Sequence, residues 1–278
     1  MNTALLFPGQ GSQTADMRDQ VARVRPDLLQ LVAEAVGEDP FPRVDDGTAY
    51  AQPAIFCASL AGWCALDRPV PEFTAGHSLG ELGALVAGGV LSERDGIQLV
   101  ALRGRLMQEA GEAGGDGGMI ALLGGDAAER ADEVAAPHGL SVANDNSPQQ
   151  VVLSGPRSAL PAAEQTAREL GLRAMILPVT GAFHSPMMAT AVPEFERALA
   201  GVELHAGNGS TVISAVTAEP FDDVRARLVQ ALTGPVRWRE VLLALHARGV
   251  TRFVEVGPGK VLSGLAKRTL KDVELVSV

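Results

Sequence analysis

The stretch Phe73-Thr74-Ala75-Gly76-His77-Ser78-Leu79-Gly80-Glu81 decides the fold. A short apolar run stops at Gly76, and a helix of small and apolar residues runs from Gly80 through Ala87. Between them stands the pattern G-x-S-x-G, a sharp strand-to-helix turn that accepts only small neighbours and lifts the serine Oγ out to where a substrate reaches it. The turn also leaves free N–H groups at the start of the helix, able to stabilise a developing oxyanion. So short a pattern recurs by chance, and an ordinary serine in a glycine-rich turn is the plain alternative. The strand on one side and the helix on the other favour the elbow.

Outward from this turn the chain alternates strands and helices. Residues 4–7 form a short apolar strand ending in the turn Pro8-Gly9-Gln10-Gly11-Ser12-Gln13; residues 51–66 and 92–110 have helical spacing, the latter with Ser92 as N-cap and Asp95 in its first turn. This order implies an α/β protein with a mostly parallel sheet covered on both faces. The run Ala113-Gly114-Gly115-Asp116-Gly117-Gly118 cannot belong to the interior of an element and marks a boundary. Beyond it come a strand (119–123), a helix (127–136), a strand (140–143), a turn (144–148), a strand (150–153), a helix (157–170) and a strand (173–177). That β-α-β-β-α-β order is the ferredoxin-like arrangement of a small subdomain, residues 118–181, inserted into a body made of residues 1–117 and 182–278. The body resumes near Thr180 and closes with a strand at 252–256, the turn Gly257-Pro258-Gly259, a helix at 261–269 and a strand at 273–276.

Composition narrows the function. Of 278 residues 46% are hydrophobic, and 33 acids against 23 bases leave a formal charge of −10. Without a basic excess the chain has no means of replacing the counterions on nucleic-acid phosphates. The first residues carry no basic flank and run straight into a glycine turn, unlike a secretory signal, and every long apolar run is broken well short of a bilayer span. A cytoplasmic protein that neither spans nor binds a membrane is expected. Cys57 and Cys64 fall on one helical face, where core packing is the better reading than a reactive thiol. Gly257-Pro258-Gly259-Lys260 lacks the spacing and the hydroxyl residue of a phosphate loop. No spacing implies a metal or a redox cofactor.

A serine nucleophile needs a base. Of the five histidines, His77 adjoins Ser78 and points across the turn, while His138, His205 and His246 fall in polar surroundings and are read as solvated. His184, in Gly181-Ala182-Phe183-His184-Ser185-Pro186, sits where the chain re-enters the body and is the candidate general base. Glu194 is the acid nearest in sequence to orient it; a backbone carbonyl on Nδ1 is the alternative. Arg103 shares a helical face with Leu99, Val100, Leu106 and Met107, so its guanidinium points inward and needs an anion. A structural salt bridge and a clamp for a substrate carboxylate both satisfy it.

These segments, with Leu102-Arg103-Gly104, Ala143-Asn144-Asp145-Asn146-Ser147-Pro148, Pro235-Val236-Arg237-Trp238 and Glu255-Val256-Gly257-Pro258-Gly259-Lys260, come in the order found in malonyl-CoA:acyl carrier protein transacylases. The chain resembles that family from end to end. The resemblance implies an α/β hydrolase-like body with a ferredoxin-like insertion and the active site between them. It makes Ser78 the acylated nucleophile and His184 its base and later its acid. It assigns the oxyanion hole to the N–H groups of Gln10 and Leu79, and the malonyl carboxylate to Arg103. Phe183 would exclude a 2-methyl branch. Met107 counts among the substrate-binding residues, and Asn144 and Asn146 would line the pantetheine channel, though as turn residues they need no such role. Family members have a Gln whose backbone carbonyl receives the histidine proton; Ala231 stands in its place, and the role passes to Ala231 or a neighbour. The region 38–48 is short for the family. The implied partners are malonyl-CoA and an acidic acyl carrier protein, met by a local basic patch, either Lys260, Lys267 and Arg268 or the arginines on the Arg103 side, with the enzyme a monomer. A malonate decarboxylase component and a serine esterase are the rival readings; a silent scaffold protein has no use for Ser78, His184 and Arg103 together.

Overall fold

The computed structural model describes residues 2–278. Strand β1 (Asn2–Phe7) leads through a loop into helices α1 (Met17–Val24), α2 (Pro26–Val36) and α3 (Thr48–Ala65), then strand β2 (Phe73–Gly76) and helices α4 (Gly80–Ala87) and α5 (Glu93–Gly114). Ala4 to Phe7 are buried without exception, as a central strand with neighbours on both edges and helices on both faces must be. All eight residues of α4 are buried too, which explains why that helix has no polar face. Ser92 caps α5: its Oγ accepts the Asp95 N–H at 3.0 Å.

The second sheet follows in sequence. Strand β3 (Gly117–Leu123), helix α6 (Ala127–Ala135), strands β4 (Ser141–Ser147) and β5 (Gln150–Pro156), helix α7 (Leu160–Glu169) and strand β6 (Arg173–Ile176) form an antiparallel sheet in the order β4-β5-β3-β6. The chain returns through helix α8 (Val192–Ala200), strand β7 (Thr211–Ile213), helices α9 (Val224–Thr233) and α10 (Trp238–Ala247), strand β8 (Val250–Glu255), helix α11 (Val261–Thr269) and strand β9 (Glu274–Ser277). The first sheet runs β7-β2-β1-β8-β9, and every pairing in it is parallel.

One sequence expectation is corrected here. Residues 144–147 are not a turn but the second half of β4, and the turn shrinks to Pro148 and Gln149. Asn, Asp and Ser are poor strand formers, yet this strand is paired on both edges. Beyond its ladder with β5, Val236 donates its N–H to the Ala143 carbonyl at 2.8 Å and accepts the Asp145 N–H at 2.9 Å. Arg239 on α10 fastens the Asp145 carboxylate at 2.7 Å. These bonds stitch the antiparallel sheet to α10 and the segment before it.

The chain enters and leaves the antiparallel sheet side by side. Leu177 donates to the Met119 carbonyl at 2.9 Å, and the Arg157 Nη2 spans the Gly117 and Val179 carbonyls at 3.0 and 2.6 Å. Among the described residues no helix is long and apolar enough to cross a membrane.

Candidate active site

The site forms at the carboxyl ends of β1 and β2. Ser78 lies between β2 and α4 with φ 54°, in the left-handed region. The glycines beside it are obligatory. A Cβ on Gly76 would stand 1.9 Å from the Gly80 carbonyl carbon, and one on Gly80 would stand 2.1 Å from the Phe7 oxygen. Without them the strand and helix could not cross closely enough to project the serine.

His184 also has a left-handed backbone, φ 58°, in the turn before the short 3₁₀ segment Pro186–Ala191. Its Nε2 is 2.8 Å from the Ser78 Oγ and its Nδ1 is 2.9 Å from the Ala231 carbonyl. A carbonyl only accepts, so Nδ1 carries the proton and Nε2 presents its lone pair to the serine hydroxyl. Burial, and then the positive charge of Arg103, push His184 down to about 3, which keeps the imidazole neutral. Glu194 does not orient it: that carboxylate pairs with Arg105 at 2.6 Å.

Arg103 is buried on α5. Its Nη1 donates to Gln52 Oε1 at 2.7 Å and its Nη2 to the Ser78 Oγ at 3.2 Å. Among the described residues no carboxylate pairs with it, which removes the salt-bridge alternative. Burial pulls the guanidinium down to about 10, still charged at neutral pH, while Glu81 pulls the other way. Glu81, also buried, is pushed up to about 7 by burial; its Oε1 accepts the Ala215 N–H at 2.7 Å and the Ser214 hydroxyl at 3.3 Å.

Neither the Gln10 nor the Leu79 N–H bonds to another group among the described residues. Their neighbours are spoken for: Gly80 N–H donates to His77 O at 3.0 Å, Gly11 N–H to Gln13 Oε1 at 2.8 Å, and the Ser12 hydroxyl to Gly9 O at 2.7 Å. Two bare donors on fixed backbone suit an oxyanion. Phe183 is buried beside His184, and Met107 receives a Gln52 N–H on its sulfur at 3.4 Å.

Asn146 is buried with its Oδ1 2.8 Å from His77 Nε2, so its side chain ties the antiparallel sheet to the elbow. His77 in turn meets the Trp238 ring edge-on at 5.5 Å. Asn144 is buried on the same strand. His138 and His246 are not free in solvent: the first bonds Thr166 at 2.8 Å and the second the Val250 carbonyl at 3.2 Å. Sequence reasoning missed Gln52, Thr48 and Glu81. Their signal was faint, a polar residue amid an otherwise apolar helical run. An open groove of about 490 Å³ lies elsewhere, between α2, α3, α5 and α8, lined by Tyr50, Leu99, Leu102 and Arg105 among others and by none of the candidate catalytic residues.

A strand-elbow serine within reach of a neutral histidine and a buried guanidinium defines a serine acyltransferase site. Residues 4–278 match the family model described as acyl transferase domain. The Bacillus subtilis malonyl CoA-acyl carrier protein transacylase is 38% identical over 99% of this chain and 92% of its own length. The polyketide biosynthesis protein ThaF of Burkholderia thailandensis is 41% identical over 96% of this chain, but this chain spans only 24% of ThaF. Among solved structures, a malonyl-transacylase in complex with a type II PKS acyl-carrier protein superposes with a TM-score of 0.90 at 33% identity, covering 100% of this chain and 96% of that one. The chain belongs to the acyl transferase family of malonyl CoA-acyl carrier protein transacylases.

Proposed function

We propose that this protein moves a malonyl group from malonyl-CoA to the phosphopantetheine thiol of an acyl carrier protein through an ester on Ser78, for fatty-acid or polyketide synthesis. The observation that carries it is the buried Arg103 guanidinium, 3.2 Å from the nucleophile and, among the described residues, paired with no carboxylate. A guanidinium there suits an acyl group that ends in a carboxylate. Ser78 Oγ attacks the thioester carbonyl as His184 Nε2 takes its proton, and the oxyanion accepts hydrogen bonds from the Gln10 and Leu79 N–H groups. The carbon–sulfur bond breaks, and CoA leaves with the proton from His184. The carrier thiol then gives its proton to His184 and attacks the ester, and the departing Ser78 Oγ takes that proton back from His184. The neutral state of His184 suits the first step, because a protonated imidazole accepts nothing.

Phe183 fills the space beside His184 that a 2-methyl branch would need, which favours malonyl over methylmalonyl. Met107, Asn144 and Asn146 complete the walls of the acyl and pantetheine sites. The cycle calls on no metal or redox group, and the reading carries with it a cytoplasmic monomer in two units, 1–117 with 182–278 and 118–181. An acidic carrier would dock on the exposed bases Lys260, Lys267 and Arg268 at the two ends of α11.

Intact-protein mass spectrometry after mixing with malonyl-CoA tests the central step. The wild type is expected to gain one malonyl adduct that a carrier thiol discharges, and Ser78→Ala to gain none. An adduct on Ser78→Ala, or none on the wild type, would overturn the reading.

A further inference from the structure

Thr48, the first residue of α3, is buried and lies 38 residues from the Gln10 loop in sequence, yet it bonds that loop directly. Its Oγ1 donates to Gln10 Oε1 at 2.8 Å and accepts the Gln52 Nε2–H at 2.8 Å. Gln52 Oε1 accepts from Arg103 at 2.7 Å, and Arg103 reaches the Ser78 Oγ at 3.2 Å. The chain of bonds runs Arg103, Gln52, Thr48, Gln10.

Its direction is fixed by chemistry. A guanidinium has donors and no acceptor, so the Gln52 atom facing it must be the oxygen. The Gln52 amide nitrogen therefore faces Thr48, whose oxygen accepts. The Thr48 proton must then go to an acceptor, and among the described residues it goes to the Gln10 side-chain oxygen. Each bond sets the next, and polarisation along such a chain strengthens its members. Gln10 itself is exposed. Among the described residues, the hydroxyl of Thr48 is the one hydrogen-bond partner of its side chain.

We propose that Thr48 is a positioning residue that couples the carboxylate-binding guanidinium of Arg103 to the oxyanion-binding loop at Gln10. The inference rests on the functional reading above. With the hydroxyl removed, the Gln52 amide nitrogen keeps only the weak Met107 sulfur at 3.4 Å as acceptor, and the Gln52 oxygen is held less firmly in its place against the guanidinium. Arg103 is then aimed less sharply. A malonyl donor suffers from both the loosened clamp and the loosened loop; an acetyl donor suffers from the loop alone.

The test compares single-turnover acylation of Ser78 by malonyl-CoA and by acetyl-CoA, read by quenched intact-protein mass spectrometry. Thr48→Val removes the hydroxyl at nearly constant shape, and it is expected to lower the malonyl-to-acetyl rate ratio by about tenfold, the effect of one lost hydrogen bond to a charged network. Thr48→Ser keeps the hydroxyl and is expected to restore most of the ratio. A plain packing role moves both rates and the melting temperature together, so a Val variant with an unchanged ratio overturns the proposal, as does a Ser variant no better than Val. If the wild type takes no malonyl on Ser78, it is the underlying functional reading that fails.

Discussion

Ser78 and His184 both hold left-handed backbones, a conformation that costs a non-glycine residue about 1–2 kcal/mol. Their neighbourhood also sets two opposed proton linkages. His184 has a folded pKa near 3 against 6.5 unfolded, so the unfolded chain binds more protons in that window. Its contribution is complete above 6.5 and is lost as pH falls toward 3. Glu81 runs the other way: at about 7 folded against 4.5 unfolded, its contribution is complete below 4.5 and is lost as pH rises through 7. Between 4.5 and 6.5 the two offset each other. Glu81→Gln keeps an oxygen for the Ala215 N–H and removes the charge. The melting temperature of that variant relative to wild type is therefore expected to rise by a few degrees between about pH 5 and about pH 8. A difference that stays flat across those two conditions would dismiss Glu81 as a titrating group. At this scale the sequence made Ser78, His184 and Arg103 legible because each sits in a turn or on a helical face that betrays it. Glu81 gave no such sign, since its partners at 214 and 215 lie far along the chain.

The contact between α3 and α5 decides whether Arg103 and Gln52 meet. It is close because Gly104 faces the start of α3: a Cβ there would lie 2.7 Å from the Thr48 carbonyl oxygen and 3.1 Å from the Ala49 Cα. Backbone atoms cannot step aside as a side-chain tip does. Gly104→Ala is expected to cost about 1–3 kcal/mol by overpacking and to slow acylation by malonyl-CoA as the helices spread. Thermal melting and the single-turnover assay read the two effects, and a variant as stable and as fast as wild type would refute the close-contact argument. Elements with one-sided signals were legible in the sequence: the buried run of β1, the Ser92 cap of α5, the order of the inserted unit. The polar half of β4 was not, because its strand conformation depends on Val236, nearly a hundred residues away, rather than on its own composition. Helices α1 and α2 were also passed over, although Pro26 at the first position of α2 is a usable start signal.

For the whole molecule, a net charge of −10 sets the far field, and an acidic carrier protein meets repulsion on most approaches. Among the described residues, Lys260 just before α11 and Lys267 and Arg268 in its last turn are exposed and form none of the ion pairs that occupy Arg18, Arg43 or Arg227. Reversing all three to Glu is expected to weaken carrier transfer about tenfold or more at low salt, while the malonyl adduct on Ser78 still forms. Unaltered transfer kinetics in that variant would send the carrier to another face. The adjacent entrance and exit of the antiparallel sheet bear on a different matter, the entropy of folding. Closing a chain loop costs more as the loop lengthens, growing as about (3/2)RT ln n. Every pairing within that sheet joins strands of this one segment, and once they have joined, the stretch from Gly117 to Val179 begins and ends at one point. For the rest of the chain it has become a knot of negligible length. The walk in sequence that separates Ser78 from His184 is shortened by the whole of that segment, and a stretch that interrupts the active site in sequence is what brings its two halves within easy reach.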